Sequence, residues 1–529
     1  QGRRSRVCMQ ACEADYTADG PPRLCHRSTM VRRGRSRPRR SLERSPTLQA
    51  AWRIAKERFG IRKLHPEQIE AIESVLKGRD TLAVLPTGYG KSLIYQVPAL
   101  LLDRPTIVIS PLISLMRDQE RKLRQRGVPV VRIDSTLRAT TRRQVLARAA
   151  KGGSLVILTT PESLESLAST FAESPPALLC IDEAHCITEW GHDFRPSYLR
   201  LGALRQQLGA PIMLALTATA TPRVRDDIIE RLEMKGPIEV VAPPYRPNLR
   251  LSVRIVHGDQ KITTAARLIK RLRRPGILYC STTKAVDQVA SALARAQIPS
   301  ARYHGKMKAS ERASSQRKFM KADRRIVMVA TSAFGMGIDK PDIRYIVHYQ
   351  VPGSLEQYVQ EAGRAGRDGK RSDCILLFDA EDLRIQEHLQ KQGRASASQV
   401  RRAVDALVAW VREDKPVKPK DLGLSARVPV TVARSVLAQL EELGLLEMVK
   451  RGEYRGRVPV QRIAAGAKEL AARLETLRVQ DARRLAAIAE YAESEECRSR
   501  FIRRYFGEAD PPECGICDRC RARRNKTRS

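Results

Sequence analysis

Aromatic side chains are scarce, with three Trp, eight Phe and thirteen Tyr making up 5% of 529 residues. Any cluster of them is therefore informative. No uninterrupted apolar run is long enough to span a bilayer, so no membrane partner is expected. The opening residues, QGRRSRVCMQ, do not start with Met and lack the apolar core of a signal peptide, so they are not expected to be one. Acidic residues are in deficit: 58 Asp and Glu face 96 Lys and Arg, a formal charge of +38. Residues 1–45 hold twelve Arg and four acids, so the excess lies mostly elsewhere. A charge this large and this one-signed suggests a polyanionic partner, most simply nucleic acid. A solvated basic surface is the plainer alternative. The eleven Cys are an odd number without disulfide-framework spacing, which points to a reducing compartment.

At 42% hydrophobic, the chain can bury cores for three or four domains. Residues 1–46, rich in Arg, Ser and Pro, read as a disordered basic tail. Within it, Cys8, Cys12, Cys25 and His26 are better taken as incidental than as a metal knuckle. From 47 to 245 short, continuously apolar runs alternate with helical patterns: TIVIS at 106–110, LVILT at 155–159, LLCID at 178–182 and IMLALT at 212–217. A second series fills 246–390: GILYC, RIVMVAT, RYIVHYQ and CILLF. Strands apolar on both faces predict parallel sheets covered on both sides, hence two α/β units in tandem, joined near APPYRPN at 242–248. Beyond them, 396–465 reads as two helices, a longer helix and a basic hairpin, a winged-helix-like α+β segment, with a small helical spacer as the alternative. Residues 466–522 read as a helical, Cys-containing module, and 523–529 as a basic tail.

The chemistry is concentrated in short stretches. LPTGYGKS at 85–92 follows an apolar run and precedes LIYQVPALLL, which has a helical look. Strand, Gly-rich turn and helix is an arrangement that holds phosphate on backbone N–H groups. Lys91 would neutralise phosphate charge and Ser92 would place its hydroxyl on Mg²⁺. The strict pattern has Gly where Leu85 stands, and taken alone the stretch is also compatible with an ordinary turn. Asp182-Glu183-Ala184-His185 closes an apolar strand, at the end where open parallel sheets bind ligands. Asp182 suits Mg²⁺, and Glu183 suits activation of water. Gln360 to Arg367 reads QEAGRAGR, with Arg364 and Arg367 three residues apart and suited to a phosphate's departing charge. In CITEWGHDFRPSY, at 186–198, Trp190 and Phe194 lie near His192 and Arg195, a set able to stack bases and bind phosphate, or simply to plug the sheet. Cys497, Cys514, Cys517 and Cys520 are spaced C-x₁₆-C-x₂-C-x₂-C, suited to closed tetrahedral Zn²⁺; a redox role is the weaker alternative. Cys180, Cys186, Cys280 and Cys374 lie in or beside strands and are expected in the core.

Together these stretches resemble superfamily 2 helicases, and within them the RecQ DNA helicases, over 59–379 and again over 497–520. LHPEQIEAI, LPTGYGKSLIYQVPAL, SPLISLMRDQ, TTPE, DEAH, LTATAT, ATSAFGMGIDKPDIR and QEAGRAGR occur in family order. The resemblance implies two RecA-like lobes around ATP and Mg²⁺. Nucleotide would be held by Gln68, which reads the adenine edge, by Thr87, Gly88, Tyr89, Gly90, Lys91 and Ser92, and by Gly337 and Asp339. Lys91, Asp182, Glu183, Gln360, Arg364 and Arg367 would be catalytic. WGHDFRP resembles the family's aromatic-rich loop and assigns Trp190, His192, Phe194 and Arg195 to DNA. The implied activity is ATP-driven 3′→5′ translocation on single-stranded DNA and duplex unwinding, in recombination and repair. The implied setting is a monomer in the bacterial cytoplasm at the nucleoid, alongside single-strand-binding protein and repair factors. An ATP-switched nucleic-acid-binding regulator and an RNA helicase are the rival expectations. Two departures stand out: Tyr89 replaces a small residue, and the winged-helix-like segment precedes the zinc module where the family's better-known layout has it following.

Overall fold

The computed structural model describes residues 46–171, 174–187, 196–198, 200–321, 326–335, 338–392, 395–450 and 452–526. The tail with Cys8, Cys12, Cys25 and His26 lies outside the described residues, as do Trp190, His192, Phe194, Arg195 and Gly337.

Lobe 1 is a seven-stranded parallel sheet, β1 (Thr81–Val84), β2 (Thr106–Ile109), β3 (Val130–Ile133), β4 (Val156–Thr159), β5 (Leu178–Ile181), β6 (Ile212–Thr217) and β7 (Ile238–Val241). Their spatial order is β3-β4-β2-β5-β6-β1-β7. Successive side chains of one strand enter different cores. Leu82 and Val84 pack on one face, Ala83 and Leu85 on the other. Leu85 is thus a core residue at the mouth of the phosphate loop. Lobe 2 holds β8 (Leu249–Ile255), β9 (Gly276–Tyr279), β10 (Ser300–Tyr303), β11 (Val327–Ala330), β12 (Tyr345–His348) and β13 (Ser372–Phe378), in the parallel order β10-β11-β9-β12-β13-β8. Cys180, Cys186, Cys280 and Cys374 are all buried in these cores. Among the described residues no helix is long and apolar enough to cross a membrane.

The helical expectation for LIYQVPALLL needs correction. The helix spans only Leu93–Gln96, followed by a 3₁₀ turn, Pro98–Leu100. Pro98 lacks the N–H that the next helical turn requires.

Beyond lobe 2, the helix Glu381–Gln392 leads to the winged-helix-like segment. Its helices are Ala397–Arg412, Pro419–Ala426 and Val430–Glu442, and its wing is the antiparallel pair β14 (Leu446–Lys450) and β15 (Glu453–Gly456). Ser396 caps the first helix, accepting from the Gln399 N–H at 3.2 Å while the Gln399 side chain accepts from Ser396. The third helix stops before Gly444, whose φ of 71° terminates it and frees Leu446 for the wing. A 34-residue helix, Val460–Glu493, follows. Its first half, through Ile463, Leu470 and Leu474, completes the winged-helix-like core. Its second half, through Leu485, Ile488 and Tyr491, packs on Val351, Tyr358 and Phe378 of lobe 2. The segment is therefore an insertion between two helices that both touch lobe 2. It also reaches lobe 1: Arg200 donates to Glu441 at 2.6 Å and Arg231 pairs with Glu442 at 3.6 Å.

Candidate active site

The loop carrying Lys91 and the DEAH segment follow the C-terminal ends of β1 and β5, whereas helices, or the turn after one, place Gln68, Gln360, Arg364 and Arg367. The loop after β1 runs between Leu85, whose N–H donates to Thr217 at 3.0 Å, and the short helix from Leu93. Gly88 and Gly90 adopt φ of 86° and 77°, the left-handed region that glycine enters without strain. Lys91 Nζ donates to the Leu85 carbonyl at 3.1 Å. Burial pushes its pKa down; Glu183 and Asp182 oppose this, while Arg367 and Arg364 add to it. All four charges act at one ammonium, so the two lobes contribute to a single site.

Asp182 directly follows β5, with its N–H on the Ile109 carbonyl at 2.9 Å. Burial and the adjacent Glu183 push its carboxyl up to about 7, against Lys91 and a hydrogen bond from Gln119. Glu183 has φ of 53°, a left-handed conformation uncommon for a residue with a side chain. His185 Nδ1 lies 2.9 Å from Thr217 Oγ1, tying DEAH to the end of β6.

From lobe 2, Ser354 caps the helix Leu355–Ala362 by accepting from Gln357 N–H at 3.2 Å. The turn after this helix carries Arg364 and Arg367. Arg364 is 5% exposed and donates to the Gly335 carbonyl. Arg367 donates to Asp339 at 3.0 Å, and Lys122 of lobe 1 meets the same carboxylate at 2.7 Å. Burial alone would raise the Asp339 carboxyl; the two cations hold it below its ordinary value. A Cβ at Gly363 would lie 3.0 Å from Thr87 Cβ, so the segment that carries Arg364 and Arg367 rests directly on the Gly-rich loop. Gln360 is half-buried on the same helix, away from any side-chain hydrogen bond among the described residues.

Gln68 occupies the junction of helix and loop. Its Oε1 accepts from His65 N–H at 2.9 Å and its Nε2 donates to the Tyr89 and Gly90 carbonyls at 2.9 and 3.1 Å. Tyr89 folds away from the loop's centre. Its ring stacks on His65 at 4.0 Å and its hydroxyl donates to Glu67 at 2.7 Å. Tyr89 thus flanks the loop rather than narrowing it.

Sequence reasoning did not single out Gln119, Lys122, Thr217, Arg246 or Asn248. Gln119 and Thr217 lie within SPLISLMRDQ and LTATAT, whose order is visible in the sequence but not which member faces the site, and Lys122 lies three residues beyond the first of these. Arg246 and Asn248 lie in the interlobe connection, where no periodicity marks them.

The four cysteine sulfurs, Cys497, Cys514, Cys517 and Cys520, lie within 4.8 Å of one another. Sulfurs at about 2.3 Å from a tetrahedral zinc stand about 3.8 Å apart. The Cys497–Cys514 and Cys497–Cys517 separations, 3.5 and 3.9 Å, fit that spacing. Arg498 beside them is 2% exposed, ion-paired to Asp518 at 3.1 Å.

Residues 65–228 match the DEAD/DEAH box helicase family, 260–369 the helicase conserved C-terminal domain and 462–521 the RecQ zinc-binding family. The chain is 35% identical over 478 residues to the ATP-dependent DNA helicase RecQ of Bacillus subtilis, covering 89% of this chain and 67% of that one. It is 35% identical over 470 residues to the probable ATP-dependent DNA helicase RecS of the same organism, covering 87% and 90%. Among solved structures, the DUF1998 helicase MrfA bound to DNA is similar with a TM-score of 0.53, at 20% identity, over 78% of this chain and 59% of that one. That last likeness concerns the fold alone.

Proposed function

The chain belongs to the RecQ family of ATP-dependent DNA helicases, and from that premise we propose that it is an ATP- and Mg²⁺-dependent motor that moves 3′→5′ on single-stranded DNA and separates duplex strands, in recombination and repair. The observation that supports this most is the meeting of Lys91, Asp182 and Glu183 from lobe 1 with Arg364 and Arg367 from lobe 2. A hydrolytic set divided between two lobes suits an enzyme whose closure assembles the site and whose opening releases product.

In this reading Gln68 faces the adenine edge, and Thr87, Gly88, Tyr89 and Gly90 wrap the phosphates, with Gly337 and Asp339 facing them from lobe 2. Lys91 neutralises phosphate charge. Glu183 orients the attacking water and takes its proton. Arg364 and Arg367 meet the charge that develops on the departing phosphoryl group, with Gln360 on the same segment. Ser92 and Asp182 would hold Mg²⁺, which when bound would supply positive charge to stabilise the phosphates. Asp182 fits that role, because it is a buried carboxylate beside Glu183 that forms no ion pair among the described residues. The four cysteines hold structural Zn²⁺, and Trp190, His192, Phe194 and Arg195 contact DNA. The domain division proposed is 47–245, 246–390, 396–465 and 466–522. The protein would act as a monomer at the bacterial nucleoid, with single-strand-binding protein and repair factors as partners.

Unwinding of 3′-tailed but not 5′-tailed duplexes, with ATP hydrolysis stimulated by DNA and abolished in Lys91→Ala, is the expected result. Hydrolysis unmoved by DNA, or retained in Lys91→Ala, would sink the motor. DNA binding without unwinding would favour the regulator suggested by the winged-helix-like insertion, and stronger activation by RNA would favour an RNA helicase.

Asp182 gives a separate pH signature. Between about 4 and about 7 the folded chain keeps a proton that the unfolded chain releases, so its contribution to stability falls as pH rises through that window. In metal-free buffer Asp182→Asn should flatten part of the decline in Tm over this range. ATPase at low Mg²⁺ should rise through about pH 7, with its midpoint moving to lower pH as Mg²⁺ increases, since cation and proton compete for one carboxyl. A pH profile indifferent to Mg²⁺ would remove Asp182 from the metal site.

A further inference from the structure

The connection between the lobes contains a guanidinium with an unusual set of partners. Arg246 Nη1 donates to the Thr87 carbonyl of the phosphate loop at 3.1 Å and to the Gly363 carbonyl at 3.3 Å. Its Nη2 donates to the Ala365 and Gly366 carbonyls at 3.4 and 2.6 Å. Each of these partners is a backbone oxygen, and among the described residues no carboxylate pairs with it. One planar fork therefore spans the phosphate loop of lobe 1 and the segment of lobe 2 that carries Arg364 and Arg367. A Cβ at Gly88 would stand 3.3 Å from Arg246 Nη1 and 3.3 Å from Arg367 Cγ, so the bare loop backbone permits this approach.

The fork is itself held from behind. Asn248 Nδ2 donates to the Gly366 and Lys370 carbonyls at 2.8 and 2.9 Å, fixing the connection to lobe 2. Arg503 of the Cys-containing module lies 5.2 Å over the Tyr245 ring. Three of the four Arg246 bonds thus stay within lobe 2 and its connection, and only the bond to Thr87 crosses to lobe 1. Opening the cleft must break that one bond, and closing it must remake it.

We propose that Arg246 is a positioning residue for ATP hydrolysis: it latches the phosphate loop to the finger segment, so that Lys91 and the Arg364–Arg367 pair come into register when the lobes close. The proposal rests on the motor reading. A guanidinium suits the task because its fork is rigid and its donors diverge in a plane, whereas an ammonium gathers its donors at one point. A misplacement of about 1 Å in such a site costs about 100-fold in rate.

The test uses the full chain with Arg246→Ala, Arg246→Lys and, as comparator, Arg302→Ala, which loses an ion pair to Asp287 within lobe 2, outside this network. The expected result is a DNA-stimulated kcat lower by about 100-fold in R246A, with nearly unchanged Kd for a non-hydrolysable ATP analogue and little change in R302A. R246K keeps the charge but not the fork and should remain defective; if R246A fails to fold, R246K carries the same test. Full activity in R246K, or a kcat per folded molecule equal to wild type in R246A with only Tm reduced, would overturn the latch. Energy transfer between dyes on the two lobes reads closure on adding the analogue. Closure weakened in R246A supports the latch, and closure equal to wild type refutes it. That readout stands even if the wild-type protein hydrolyses no ATP, a result that would count against the motor alone.

Discussion

Arg364→Ala lowers the DNA-stimulated kcat for ATP hydrolysis by about a thousandfold or more, the scale of a lost arginine finger. The expectation comes from how differently the two arginines of this turn are compensated. Arg367 is bound to Asp339, which Lys122 also holds, so much of its charge is already balanced. Arg364 is buried, donates to the neutral Gly335 carbonyl and pairs with no carboxylate among the described residues. An uncompensated buried charge is costly at rest and gains most from a developing anion. Gly335 is part of the design, since a Cβ there would stand 2.9 Å from Arg364 Nη2. ATP binding should change little or tighten, because removing Arg364 relieves repulsion on Lys91. Steady-state hydrolysis at saturating single-stranded DNA checks this. A fall of less than tenfold in Arg364→Ala, beside a larger one in Arg367→Ala, would exchange their roles.

Cys517→Ser lowers Tm by about 10 °C or more and reduces the soluble yield, while nucleotide affinity stays close to wild type. Cys517 is fully buried, 3.9 Å from the Cys497 sulfur, and metal ligation here would do the work of a small core. The module it organises is not peripheral. Phe501, Ile502 and Phe506 share one core with Leu355, Tyr358 and Phe378 of lobe 2. Loosening the cysteines therefore exposes apolar surface on the lobe carrying the arginines. Thermal melts with and without a chelator provide the measurement. An unchanged Tm in metal-stripped protein would show that packing alone holds the module together.

The central strands were legible because they are apolar on both faces, as β2, β4, β5 and β6 are. The strands that sequence reading passed over, β3, β7, β8 and β10, are the four edges of the two sheets. SARY in β10 and LRLSVRI in β8 are half-exposed along much of their length, so they carry little of the continuous apolar signal. The third helix of the insertion reads as longer than it is, because the apolar pattern runs on through LGLLEMV; Gly444 breaks it. At the site, motif residues could be named because phosphate chemistry restricts what stands there. Arg246 could not, because its partners are carbonyl oxygens that every residue possesses. The backbone path that brings Thr87 and Gly366 to it is a tertiary fact.

The helix Val460–Glu493 is also a lever. At 1.5 Å per residue its 34 residues extend about 51 Å. One end is seated on lobe 2 and the other inside the winged-helix-like core. A tilt of about 10° at the seated end would swing the far end by about 9 Å, more than two nucleotide steps along a single strand. The Arg200–Glu441 and Arg231–Glu442 pairs moor the winged-helix-like core around that far end to lobe 1. Relative motion of the lobes must then either part these moorings or bend the shaft, so the stiffness of one helix and the strength of two ion pairs set the stroke available at the wing.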